Sequence, residues 1–188
     1  MTENSASDNT KSPQTLLEPQ VIAVCGSPGA GKTTVARAIA RRLGLVLLSR
    51  DEVKNGLGLT CGYEPEFHLA GGPYSQQAEA VLTDLAWGLA EARVSFVLET
   101  SVLSKELLDG LQVLAVHVTA RPEVIDARLQ ARDDHQLADQ FRRGEMPAKV
   151  FAPPDWVETV VVIDTSDQEA PDIDAVTSRF GPGPRRTG

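Results

Sequence analysis

Between residues 26 and 33 the chain reads Gly-Ser-Pro-Gly-Ala-Gly-Lys-Thr. Gly26, Gly29 and Gly31 open backbone conformations closed to other residues, so successive N–H groups can turn inward around an anion. Lys32 adds an ammonium to that ring, and the Thr33 hydroxyl supplies a hard oxygen for a divalent cation. The spacing matches G-x-x-x-x-G-K-[ST], a pattern built to hold nucleotide phosphates. Gly26, Ser27, Pro28, Gly29, Ala30, Gly31, Lys32, Thr33 and Thr34 are therefore expected around ATP, with Lys32 spanning the β- and γ-phosphates and Thr33 on Mg²⁺. A bland glycine turn is the alternative. A β-branched strand pattern before the segment and an Ala/Ile/Leu helix pattern after it favour the phosphate loop.

Three further groupings can act on a bound triphosphate. The apolar run before residue 49 leads into Ser49-Arg50-Asp51-Glu52-Val53-Lys54, which puts Asp51 at the carboxyl end of a strand, beside the phosphate site of an open α/β sheet. A carboxylate there can take the proton of an acceptor hydroxyl and aim its oxygen at the γ-phosphate. The same Asp-Glu pair is also an ordinary helix start, with Asp51 as its N-cap. Arg128 and Arg132 stand four residues apart on one helix face, where one guanidinium can stack over adenine and the other reach the phosphates. A solvated face paired with Asp126 and Asp133 is the plain reading of those arginines. The polar stretch from Arg132 to Lys149, with Arg142, Arg143 and Gly144, can close as a lid that excludes water.

Such groups need a scaffold, and the rest of the chain describes one. Short apolar runs at Val21–Cys25, Leu45–Ser49, Ser95–Glu99, Val113–Val118 and Thr159–Ile163 predict strands buried on both faces. They alternate with helical spacing at Lys32–Leu43, Gln76–Arg93, Lys105–Leu111 and Pro122–Ala131. That alternation predicts a three-layer α/β domain with a five-stranded, mostly parallel sheet. The domain is expected over residues 19–180, with a helical lid near 132–150. Residues 1–18 and 181–188 lack the apolar groups to offset their ordering entropy and are expected to be disordered. Ser75 is a candidate N-cap for the long helix, Leu57–Tyr74 a loop that shapes an acceptor pocket, and Trp156 a side chain of the lid hinge. His117 and Trp87 are expected in the core, and His68 and His135 in loops.

Composition narrows the partners. The 188 residues suit one domain, and a net charge of -8 repels polyanions unless a local basic patch overrides it. No run of about 18 apolar residues exists to span a bilayer, and Met1–Gln14 has neither a basic n-region nor an apolar h-region, so the expected location is the cytoplasm. Cys25 and Cys61 cannot form a disulfide framework and lack metal-ligand spacing.

Over roughly residues 21–166 the sequence resembles the small P-loop kinases: polynucleotide 5′-kinases, zeta toxins, chloramphenicol phosphotransferase, gluconate and shikimate kinases. The phosphate loop carries the likeness, followed after the second strand by Arg50-Asp51-Glu52, where the polynucleotide kinases have Arg-Asp-Asp. The resemblance implies the P-loop NTPase fold, Asp51 as general base, Arg132 on the nucleotide phosphates, and Asp164-Thr165-Ser166 near the adenine. Two departures mark the acceptor side. Glu99, in Leu98-Glu99-Thr100-Ser101, stands where relatives carry Asp, and Lys54 stands where the polynucleotide kinases place Arg, replacing a bidentate fork by a point charge. The catalytic set expected is Asp51, Lys32 and Arg132, with Arg128 on the nucleotide and Asp51, Lys54, Glu99 and Thr100 at the acceptor. The acidic balance favours a small-molecule acceptor; a 5′-hydroxyl polynucleotide and a non-catalytic ATP-binding module are the rivals, and GTP stays open as donor although the guanine-reading Asn/Thr-Lys-x-Asp signature is absent.

Overall fold

Every residue from Val21 to Cys25 is buried, so the strand they form is covered on both faces. The computed structural model describes residues 20–63, 67, 72–131, 139, 142–145, 151–167 and 170–180. Five strands form one sheet: β1 (Gln20–Cys25), β2 (Val46–Ser49), β3 (Phe96–Glu99), β4 (Gln112–Thr119) and β5 (Thr159–Asp164), in the order β2-β3-β1-β4-β5. Every pairing is parallel, which sharpens the expectation of a mostly parallel sheet. All carboxyl ends therefore meet at one rim, where Glu99 stands opposite both Val24 and Ser49, and Cys25 opposite His117.

Side-chain alternation along β1 sorts the core into two layers. Ile22 and Val24 pack on Val35 and Ile39 of α1 (Lys32–Leu43), with Val176 of the short α6 (Asp174–Thr177) and Phe180. Val21, Ala23 and Cys25 pack on Leu82 and Ala86 of α3 (Pro73–Glu91) and on Leu107 and Leu108 of α4 (Lys105–Leu108). Each large apolar side chain so buried contributes about 1.5–3 kcal/mol. Two more helices serve the rim: α2 (Arg50–Cys61) follows β2, and α5 (Pro122–Ala131) follows β4.

Several expectations are corrected. The edge strands are not buried on both faces, since Val46 is 48% and Val162 61% exposed. Ser75 is no N-cap: it is buried within α3, which starts at Pro73 after Gly72, where a missing N–H costs nothing. Leu57–Cys61 is helix rather than loop. Gly58 fits inside it because the Tyr63 and Phe67 rings take the space of its missing side chain, with ring carbons 2.5 and 2.9 Å from where a Cβ would stand. Trp87 is half-buried rather than core, and Trp156 packs against the second layer beside Val157 and Val160. The terminal arms, His68, His135, Arg132 and most of the lid lie outside the described residues.

Candidate active site

The phosphate loop is fixed by its neighbours on both sides. Gly26 has φ 135°, and a Cβ there would stand 2.2 Å from the carbonyl oxygen of Val118, so no other residue fits where β1 turns against β4. Gly31, φ 93°, is the residue before α1. The helix opens Lys32-Thr33-Thr34 without a carboxylate in its first turn, so its N-terminal amides and the positive end of its dipole are left for an anionic ligand. Lys32 is buried, and its Nζ donates to the Ser27 carbonyl at 3.0 Å, which holds the ammonium across the loop. Ser27 also accepts from the Ala30 N–H at 3.2 Å; Pro28 is half-buried and Thr34 exposed.

Beneath the loop, Cys25 and His117 form a neutral pair. Burial pushes the Cys25 thiol up to about 11, against the pull of Lys32, and burial also lowers the pKa of the half-buried imidazole. Sγ and Nδ1 are 3.9 Å apart. With its pKa raised, the Cys25 thiol carries little thiolate at neutral pH and is not poised as a nucleophile.

Hard oxygens gather where α1, β2 and β3 meet. Glu99 is 3% exposed and accepts from the Thr33 hydroxyl at 3.3 Å and from the Ser49 hydroxyl at 2.6 Å. A buried carboxylate beside the loop threonine is the donor set a Mg²⁺ ion takes alongside phosphate oxygens, so the residues present fit that ion. Ser49 was not legible as a site residue: only its cross-strand pairing with Glu99 marks it. It also occupies the N-cap position of α2, with its side chain turned to Glu99 rather than to the helix amides. The capping reading of Asp51 thereby falls. Asp51 is the second residue of α2, 75% exposed and 3.6 Å from Arg50, on the same rim as Glu99.

One turn along α2, Lys54 places its Nζ 5.0 Å from the centre of the Phe67 ring. Burial first, then the charge of Arg50, lower its pKa, while Asp51 raises it. Phe67 also meets Tyr63 edge-on at 4.9 Å and Tyr74 at 5.5 Å, so an aromatic group of three rings lies beside Lys54. Thr100 does not join this group: it is buried, and its hydroxyl donates to the Val102 carbonyl, shaping the turn after β3.

Arg128 is not on a solvated face. Its guanidinium reaches the Gly29 carbonyl at 3.3 Å, the Thr165 hydroxyl at 2.9 Å and the Thr165 carbonyl at 2.8 Å. The lid arginines are already matched: Arg142 with Asp126 and Asp139, Arg143 with Glu145.

Residues 21–152 match the profile of a family described as an AAA domain. The chain is 29% identical over 126 residues to a cytidylate kinase of Pyrobaculum islandicum, covering 65% of each chain, so it spans a little under two thirds of that relative. It is 33% identical over 143 residues to a shikimate kinase of Corynebacterium glutamicum, covering 73% of this chain and 82% of the relative. The fold is also that of a candidate kinase from Chloroflexus aurantiacus, at TM-score 0.71 and 21% identity over 87% of this chain and 97% of the other.

Proposed function

We propose that this chain, which belongs to the AAA domain family and among its members to the small P-loop kinases, moves the γ-phosphate of ATP to a hydroxyl of a small molecule. One observation carries the reading. The Thr33–Glu99 oxygen pair sits at the base of a lysine-bearing phosphate loop, and the exposed Asp51 stands on the same rim of the sheet.

The chain's own groups divide the work. The loop amides and Lys32 hold the triphosphate and balance the charge that builds on the transferring group. Thr33 and Glu99 would hold Mg²⁺, which supplies further charge neutralisation when bound. Asp51 accepts the proton of the acceptor hydroxyl as its oxygen bonds to the γ-phosphorus, the bond from that phosphorus to the bridging oxygen breaks, and ADP departs with the electron pair. Lys54 and the Phe67, Tyr63 and Tyr74 rings face the acceptor, offering one cation and flat apolar surface. Arg132, which lies outside the described residues, is assigned to the phosphates on the strength of the family resemblance. The exposed Cys61 thiol suits a reducing compartment, in keeping with work in the cytoplasm; among the described residues no helix is long and apolar enough to cross a membrane.

A polynucleotide acceptor would need a continuous basic strip. Among the described residues Arg50 faces Asp51 and Glu79, Arg142 faces two aspartates and Arg143 a glutamate, so these cations are met by carboxylates in a chain of net charge -8. The test is transfer of label from γ-labelled ATP across nucleoside monophosphates, hydroxy acids, sugars and 5′-hydroxyl oligonucleotides. Label on a small molecule supports the proposal. Label on the oligonucleotide alone replaces the acceptor class, and label retained in ATP despite tight binding leaves a regulatory module.

A further inference from the structure

We propose that Arg128 and Thr165 are positioning residues that hold the phosphate loop in its anion-binding conformation from behind, a task separate from any contact of the Arg128 guanidinium face with adenine. The inference rests on the nucleotide reading above and assigns these two residues a task within it.

A peptide unit is planar, so an amide that points into the phosphate cradle sends a carbonyl of the loop outward. Buried carbonyls need donors, and a glycine-rich loop has little else to stop its peptides from turning over. Two outward carbonyls find their donors in segments far along the chain. The Gly29 carbonyl accepts from Arg128 Nη1 at 3.3 Å, and the Ala30 carbonyl accepts from the Thr165 hydroxyl at 2.7 Å. The donors are themselves locked together, because Arg128 donates to both the hydroxyl and the carbonyl of Thr165, while the Thr165 N–H donates to the Thr119 carbonyl. Thr165 is 7% exposed. The clamp also lies flush on the loop: a Cβ on Gly31 would stand 3.3 Å from Thr165 Oγ1 and 3.5 Å from Arg128 Nη1. Its planar fork serves three acceptors on two segments, which a lysine cannot do.

The hydrogen bonds of Arg128 use the edge of its guanidinium and leave its face open to a base, so the bracing is the part of its action that serves any ligand filling the phosphate cradle, with or without a nucleoside. The discriminating probe is therefore magnesium tripolyphosphate, which keeps the phosphates and lacks the nucleoside. Calorimetry on the full chain compares it with ATP·Mg for wild type, Arg128→Lys, Thr165→Val and Thr165→Ser. Both Arg128→Lys and Thr165→Val are expected to weaken tripolyphosphate as well as ATP, each by about tenfold, with the same factor for the two ligands in Thr165→Val. Thr165→Ser, which keeps the hydroxyl, is expected to bind like wild type. In turnover the loss should fall on KM for ATP, with kcat held within about threefold, because ground state and transition state use the same cradle. A loss confined to ATP returns Arg128 to the adenine and overturns the inference, as does unchanged binding of both ligands. If Arg128→Lys does not fold, the contrast between Val and Ser at position 165 decides. A wild type that binds neither ligand sinks the nucleotide reading itself, an outcome distinct from either of these.

Discussion

Gly26→Ala tests the geometry of the site with a single methyl group. A Cβ at this position would sit 2.2 Å from the Val118 carbonyl oxygen, while real contacts of this kind stay beyond 3.0 Å, so backbone must separate from backbone by about 0.8 Å. Neither side is a flexible side-chain end. β1 and β4 are paired from Gln20↔Gln112 to Cys25↔His117, and the displacement must either open that ladder or tilt the loop. The φ of 135° adds strain of about 1–3 kcal/mol for a residue with a side chain. In a chain of this size, each kcal/mol lowers Tm by roughly 2–4 °C, so a fall of several degrees is expected. The functional loss is larger, since a shift approaching 1 Å in a positioned group costs about a hundredfold. Thermal melts and calorimetry with ATP·Mg read the two effects separately. A variant that melts like wild type and binds ATP within twofold would refute the reasoning, because it would mean that the loop does not depend on contact with Val118.

Asp51→Asn is expected to lower kcat by about two to four orders of magnitude while sparing ATP affinity, as measured by turnover and calorimetry; undiminished turnover removes Asp51 from the reaction. Glu99→Gln keeps an acceptor for Ser49 but loses the charge, so the Mg²⁺ concentration for half-maximal activity should rise about tenfold with little change in Tm. An unaltered Mg²⁺ requirement would place the ion elsewhere. His117 has a folded pKa below its ordinary 6.5, so the unfolded chain takes up the proton first as pH falls. Stability is therefore lost on acidification through the window just below 6.5 and regained above it. His117→Gln should flatten that slope in denaturant titrations, and an unchanged slope would assign it to other groups. Ile22→Ala, at a fully buried position on the central strand, should cost about 2–5 kcal/mol of stability by chemical denaturation.

What the sequence made legible follows its local patterns. The strands and helices of the phosphate-loop unit carry their periodicity within a few residues, so β1 and α1 were readable to within a residue at their ends. Features that depend on distant partners were not. Ser49 looks like any residue at a strand end until β2 and β3 align it with Glu99. The role of Arg128 depends on Thr165, which reaches the loop only because β5 sits beside β4. Ser75 misled because Pro73 at the head of α3 makes a side-chain cap unnecessary. Gly58 read as a loop residue because the sequence does not show that the Tyr63 and Phe67 rings fold back over it.

The central strand comes early in the chain, and both of its partners come late. Val21 must wait for Phe96 on one side and Val113 on the other. At a synthesis rate of about 5–20 residues per second, the strand beneath the phosphate loop emerges roughly 5–20 s before its second neighbour exists. Until Phe96 arrives an apolar ribbon is left unpaired, and after it one edge stays open to chaperones and to its own kind. A nascent chain arrested before residue 112 should thus stay protease-sensitive and bind no nucleotide, even though its entire phosphate-loop motif is already translated.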